Sequence, residues 1–554
     1  FNIGQSYYNE RNFNDSVKYF KRFIQAYPSD TKLSLAVNQI LDAHNQREDY
    51  KSLIKDGEWF LKSKRVGNPS LRDNVKEIVS QAKLISVRKQ SSSLSQEGYA
   101  KNMLKLASKF KGTDLGDKAL YEAFILYRSQ RSSEMYTPGS ILLKNHSISK
   151  YAKQVAGDMV QTALLTADFD RASKYLEYYG TQYPKDKESE LFLNQAAEIR
   201  SIIRDYAGAK RVYNKIGNLK EIAEMDLLAR DWQALLSSSQ KVSEPLRTYY
   251  LAMAYRELKQ SAKAEQVLKS RMTRIKGSGN KDILVKAIYL QALLGLDRYQ
   301  KIRFSRKTND QAVVGQKTAG LQALTQSFSS VIATGDPEMT LAALSGLGEL
   351  YKGFGTFLKE AKIPKGLNKD QKEFYKNEIQ KQVSSYIEQS NSYFNKCLDV
   401  AKQANLFSKF LVYCKEKSQA VKIPGLVPRF KENENANIEN LRKALFDRPR
   451  DPQIYRDIIE AQIIDKNFGA ALATANRATE MFPENTKIAS AYIYVLLHIG
   501  DFREAGLQLS RAVKIDAYNS ELKAIEYQIK KYFGFAPKKQ VVSSSVRSFL
   551  PGWL

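Results

Sequence analysis

The sequence predicts an all-α protein built as an α-solenoid, a superhelical array of antiparallel helix pairs. Three observations carry this prediction. Residues of one type recur 34 positions apart: Ala444, Ala478 and Ala512; Phe468 and Phe502; Ala471 and Ala505; Pro449 and Pro483. A constant period of this length marks a supersecondary unit that buries its apolar face only against its neighbours. Apolar residues also follow i, i+3, i+4 spacing, as in Ile454, Ile458, Ile459, Ala461 and Ile463. Alternating β-branched runs bounded by Asn-Gly turns are missing. Finally, 554 residues with 43% hydrophobic content and only 14 prolines are too many for one compact core. A solenoid escapes that limit because each pair packs only on the next.

The elements follow in order. Gly4, Tyr7, Phe13, Ser16, Phe20 and Pro28 place a partial first helix pair at 1–30. In that phase Phe1 falls inside a first helix, so further sequence is expected ahead of it. Residues 31–155 read as degenerate helical repeats. Clearer repeats fill 156–275: Phe169, Ala172 and Tyr183-Pro184 outline one second helix, and Tyr206, Ala209 and Tyr213 the next. Trp232 and Leu235 suggest a degenerate repeat, and Leu251, Ala252, Tyr255, Ala264 and Leu268 a clear one.

Residues 276–430 diverge. Leu344, Leu347, Gly348 and Tyr351 suit a first helix, and Ser390, Phe394 and Cys397 a second. Ser390 follows Tyr351 by 39 residues where a regular repeat has nine. An insert of about thirty residues near 352–385 is therefore predicted. In it, Pro364-Lys365-Gly366 reads as a turn and Asn368 as a helix N-cap. Regular repeats resume over 431–533 and end in a polar capping helix, Ser520 to Tyr532. A flexible tail, 534–554, closes the chain on the apolar run Phe549-Leu550-Pro551-Gly552-Trp553-Leu554.

The pattern of Gly, aromatic, small residue and terminal Pro resembles the tetratricopeptide repeat (TPR) family at Gly4, Tyr7, Phe20, Pro28, Ala172, Pro184, Ala264, Phe468, Ala471, Ala478, Pro483, Phe502, Ala505 and Ala512. The resemblance implies a surface that holds other proteins. In such arrays the first helix of each repeat lines a concave groove. Carried onto this sequence, those positions include Arg456 and Glu460, then Tyr494 and His498, and in the middle array Tyr249, Met253 and Arg256. Ile463 and Ile464 map there too. Residues 340–415 also resemble the large envelope TPR proteins of gliding and predatory bacteria. The match rests on Ile363-Pro364-Lys365-Gly366-Leu367, Tyr375 and Phe394-Asn395-Lys396-Cys397. It implies a non-enzymatic scaffold subunit of a bacterial cell-envelope assembly, in gliding or adhesion machinery, periplasmic or envelope-associated.

The net charge of +28 admits another reading. A basic solenoid could bind nucleic acid, a lipid surface or another anionic polymer. The sharpest cluster is Arg298, Lys301, Arg303, Arg306 and Lys307, with Tyr299 and Phe304 interleaved as in single-strand binders. The competing reading is a solvated loop. No helix-turn-helix or RNA-binding motif accompanies it, so no specific nucleic acid is expected.

Catalytic patterns are absent. His44, His146 and His498 are isolated, so neither metal nor cofactor is expected. Gly353-Phe354-Gly355 and Gly277-Ser278-Gly279 read as linkers, and Leu344-Ser345-Gly346 lacks the first glycine of a nucleophile elbow. Glu378 and Glu388 suit solvated helix faces. Cys397 and Cys414 stand at similar heights in adjacent helices, which permits either a disulfide or two small packing residues. No apolar run approaches a membrane span; Tyr492 to Ile499 is the longest.

Overall fold

The computed structural model describes all residues except 64–67, 92–94, 146, 305–309, 365, 420–436, 534 and 536–554. The predicted tail, Arg306, Lys307 and His146 thus lie outside the described residues, apart from Phe535 in the tail. The described residues form helices and turns without strands.

The chain divides into two compact units, Phe1–Thr162 and Ala163–Leu554. The first unit holds α1 (Asn2–Asn9), α2 (Phe13–Ala26), α3 (Leu33–Gln46), α4 (Tyr50–Lys62), α5 (Pro69–Gln90), α6 (Gln96–Lys109), α7 (Asp114–Ser129) and α8 (Tyr136–Asn145), with α9 (Ala152–Leu165) running across the boundary. The second begins with α10 (Phe169–Gln182), α11 (Ser189–Ile202), α12 (Tyr206–Ile216), α13 (Leu219–Leu228), α14 (Trp232–Ser239), α15 (Leu246–Glu257), α16 (Ser261–Gly277), α17 (Lys281–Tyr299) and α18 (Asp310–Ile332). It continues with α19 (Pro337–Lys359), α20 (Lys369–Gln403), α21 (Lys409–Gln419), α22 (Ile438–Asp447), α23 (Pro452–Ile464), α24 (Phe468–Met481), α25 (Thr486–Ile499), α26 (Phe502–Ile515) and α27 (Ser520–Phe533).

A recurring turn joins many of the helices. One residue adopts positive φ and the next caps the following helix. The pairs include Arg11-Asn12, Glu48-Asp49, Ala167-Asp168, Arg204-Asp205, Arg230-Asp231, Lys466-Asn467 and Gly500-Asp501. In each, the Asn or Asp side chain accepts a backbone N–H of the first turn, which satisfies a donor that the helix itself cannot. Pro28, Pro184, Pro449 and Pro483 all stand in turns just beyond a helix end, where a missing N–H costs least.

Small residues let paired helices approach. Ser16 Oγ donates to the Gly4 carbonyl at 2.9 Å, and a Cβ on Gly4 would stand 3.0 Å from the Phe20 ring. The same lock recurs far along the chain. Ser390 Oγ donates to the Gly348 carbonyl at 2.7 Å, and a Cβ on Gly348 would meet Phe394 at 2.5 Å. The two locks span 12 and 42 residues, so the second encloses thirty more. Those residues lengthen both helices, α19 to 23 residues and α20 to 35. Asn368 opens α20 with a capping box to Gln371. Most of residues 369–382 are exposed, with Phe374 at 69%.

One reading needs correction. Gly353-Phe354-Gly355 is no linker but lies inside α19. Phe354 is buried, and a Cβ on Gly355 would touch Ile387 and Tyr386 of α20. The glycine is there for close packing between the two long helices.

The alanine period maps to the core. Ala471, Ala478, Ala505 and Ala512 are buried, whereas Ala444 is only partly so. Side chains 34 residues apart also meet across successive repeats: Arg88 with Glu122 at 2.7 Å, and Arg211 with Glu177 at 2.9 Å. Cys397 and Cys414 are fully buried and form a disulfide joining α20 to α21.

The second unit folds back on itself. Its helix α24 packs against α10 and α11, so closely that a Cβ on Gly469 would stand 2.5 Å from the Ile203 carbonyl oxygen. Ion pairs flank this seam, Arg442 with Asp168 at 3.3 Å and Arg171 with Glu439 at 3.7 Å. Helix α27 meets α21, where Phe407, just ahead of α21, and Phe533 lie 5.1 Å apart.

Candidate protein-interaction surfaces

The predicted groove of the C-terminal repeats is filled by its own side chains. Arg456, on α23, reaches past α25 to α27, where its two terminal nitrogens bond Glu521 at 2.7 and 2.9 Å. Its Nε bonds Glu460 at 2.8 Å. Burial lifts the Glu460 carboxyl above its ordinary range, partly offset by Arg456. Tyr494 is only 7% exposed, and burial raises its hydroxyl further. His498 stacks on Phe468 at 5.4 Å and holds the Tyr494 carbonyl at 2.8 Å. Tyr494 is therefore packed in the core, and first helices two repeats apart come within reach of one arginine. Ile463 is core as well, whereas Ile464 is partly exposed.

In the middle array Tyr249 and Met253 are partly buried beside the cluster of Ala252, Ala264 and Leu268. Burial, with a smaller effect of Asp282, pushes the Tyr249 hydroxyl to about 12. Arg256 bonds Asp297 with two nitrogens, at 2.9 and 3.2 Å, and Glu257 with the third, at 3.2 Å.

The basic stretch is not an aromatic platform. Tyr299 is buried, and Phe304 stacks on Phe357 with centroids 4.4 Å apart and planes 7° off parallel. Tyr299 is closed to a base, and Phe304 is partly buried with one face taken by Phe357, which counts against the single-strand reading. Arg298 pairs with Glu265 at 2.8 Å, while Lys301 and Arg303 are exposed. The structure brings Arg256, Lys301 and Arg303, which the sequence placed in two separate sets, to one cleft of about 670 Å³.

Lys317 escaped the sequence reading. It is buried, and its ammonium donates to the carbonyls of Tyr299 at 2.6 Å and Ile302 at 3.1 Å, 3.9 Å from the Tyr299 ring centroid. Burial, aided by Arg303, lowers it to about 8. The signal was its position: Lys317 lies four residues from both Val313 and Leu321, on the apolar stripe of α18.

Among the described residues no cluster of His, Cys, Asp and Glu could hold a metal ion, and no helix is long and apolar enough to cross a membrane.

Residues 1–30 match the tetratricopeptide repeat family. The match covers the first helix pair, α1 and α2. No curated protein matches it. Similar solved structures include a circular tandem repeat protein with novel repeat topology and enhanced subunit contact surfaces, 14% identical, covering 90% of this chain and 98% of that one, with a TM-score of 0.19. Naa15/Naa10 bound to HypK-THB is 12% identical over 99% of this chain and 88% of that one, TM-score 0.18. Yeast Tom70 is 14% identical over 66% of this chain and 89% of that one, TM-score 0.15. The resemblance of residues 340–415 to envelope motility proteins has no counterpart among these three.

Proposed function

We propose that this TPR array is a non-enzymatic scaffold that holds other proteins of a multi-subunit assembly, in an oxidising compartment such as a bacterial periplasm. The observation that carries the reading is the array itself. The lock between Gly4 and Ser16 returns at Gly348 and Ser390, and side chains one repeat apart pair across successive helices. Such stacking creates extended surface at the cost of enclosed volume, which suits holding proteins better than enclosing a substrate. The buried Cys397–Cys414 disulfide supports the compartment, because structural disulfides are rare where thiols are kept reduced. The envelope and motility assignment draws its support from the sequence of residues 340–415. The anionic-polymer reading is weakened by the burial of Tyr299 and the stacking of Phe304 on Phe357.

The test is affinity purification of the full chain from its native cells, with chemical crosslinking, nuclease treatment and washes at about 0.15 M and higher salt. A constant set of crosslinked proteins that survives nuclease and salt is expected. Recovery of nucleic acid alone, or of no crosslinked protein, would defeat the scaffold reading. Alkylation of the denatured chain without reductant should leave both cysteines unlabelled; labelling of either would remove the compartment argument.

A further inference from the structure

We infer that the cleft between the ends of α15, α16 and α17 receives an acidic segment of a protein partner. This rests on the scaffold reading and names the chemistry of what is held. The cleft measures about 670 Å³, room for a few side chains and too open to enclose a small molecule.

Its charges do not balance. Arg256, Lys259, Lys301 and Arg303 line it, against Glu257 and Asp297. Four cations and two anions leave a formal charge of +2. Both carboxylates already bond the one guanidinium of Arg256. Among the described residues Lys259, Lys301 and Arg303 form no ion pair, so three cations share a hollow whose two carboxylates are bonded to Arg256. The helix that opens beside them adds to the field. At the turns described above an Asn or Asp caps the following helix. Here the sequence reads Lys259-Gln260, and Gln260 makes no side-chain cap. The first N–H groups of α16 keep their partial positive charge on the side from which the cations come.

A protein segment fits this cleft better than a nucleic acid. Of the two aromatic rings in the basic stretch, Tyr299 is buried and Phe304 is partly buried and stacked on Phe357, so bases would find little to stack on. Glu257 and Asp297 are held in the wall and would repel a backbone that is charged at every step. A peptide can set spaced Glu or Asp side chains against Lys259, Lys301 and Arg303 and leave neutral residues opposite the two carboxylates.

The test uses the full chain and a fluorescent peptide of alternating glutamate and serine, with oligo-dT and inorganic polyphosphate as parallel probes. Binding of the peptide is expected, weakened about tenfold or more by Lys301→Glu with Arg303→Glu. Both residues are exposed, so the variant should melt as the parent does. Lys402→Glu, an exposed lysine outside the cleft, should leave binding unchanged. Equal binding by parent and double variant overturns the inference, and so does tighter binding of oligo-dT or polyphosphate than of peptide at physiological salt. If the peptide does not bind but crosslinked protein partners persist, the cleft assignment fails and the scaffold stands. If no protein partner is captured by the parent chain, the scaffold reading itself fails.

Discussion

Glu177 shows how single residues tie one repeat to the next. Its carboxylate on α10 meets Arg200 on α11 at 3.0 Å, and Arg211 and Lys215 on α12 at 2.9 and 3.0 Å. Burial opposes the charged form, but hydrogen bonds from Arg211 and Lys215 and the charges of Lys215 and Arg200 prevail, and the group falls to about 2. A carboxylate lowered on folding contributes stability that is complete above its unfolded value near 4.5 and is lost as pH falls toward 2. Glu177→Gln should cost about 2 kcal/mol at neutral pH, since it removes the shared carboxylate of three cations and leaves Arg200, largely buried, with Asp205. Denaturant melts between neutral pH and the acid limb would show the difference between parent and variant shrinking as pH drops below 4.5. A constant difference would mean that packing, not charge, sets the effect. Residue-scale reading of the sequence was uneven. Alanine is small wherever it stands, so the period correctly placed Ala478 and Ala512 in the core. Tyrosine and phenylalanine suit either side of a helix. Nothing in the local order of Tyr299, Phe304 and Tyr494 shows which way the ring turns.

At the scale of elements, the departure around Ser390 was legible because the lock keeps its residue types even when its spacing changes. Growth of both antiparallel helices at the same end, more in α20 than in α19, leaves Gly348 opposite Ser390 while the tip moves outward. The capping box at Asn368 defines the start of the longer helix. The disulfide was legible only as one of two options, because helical heights do not show which way each Cβ points. It closes a loop of 17 residues between α20 and α21, and cross-links of this size contribute about 3 kcal/mol by restricting the unfolded chain. Replacing both cysteines by alanine should lower the melting temperature of the second unit. Strong reductant should lower that of the parent chain to a similar value while leaving the variant unmoved. A variant that melts as the parent does would show that packing alone holds α21.

At the scale of the whole molecule, the fold-back of the second unit left no trace in the repeat pattern. The seam joins Ile203 to Gly469, 266 positions apart and out of phase with any period. Repeat analysis reports contacts between neighbours and is blind to contacts between distant turns. Gly469→Leu should pry α24 from α11, because even its Cβ would overlap the Ile203 carbonyl. A cost of about 1–3 kcal/mol is expected, with faster hydrogen exchange along α10, α11 and α24 and little change in α15–α17. Uniformly faster exchange throughout the second unit would mean that the seam is part of the folding core rather than a closure added to it.

That seam also decides how the second unit carries load. An open solenoid pulled at its ends lengthens like a spring, through small rotations shared by many helix pairs. Here α24 clasps α10 and α11, and the helices from α12 to α23 form a loop of stored length behind the clasp. Tension applied across the unit would run first through the clasp, which resists sliding until its packing and flanking ion pairs give way together. Only then would the stored length pay out. The unit should therefore act as a stiff link at low force and an extensible one beyond a threshold.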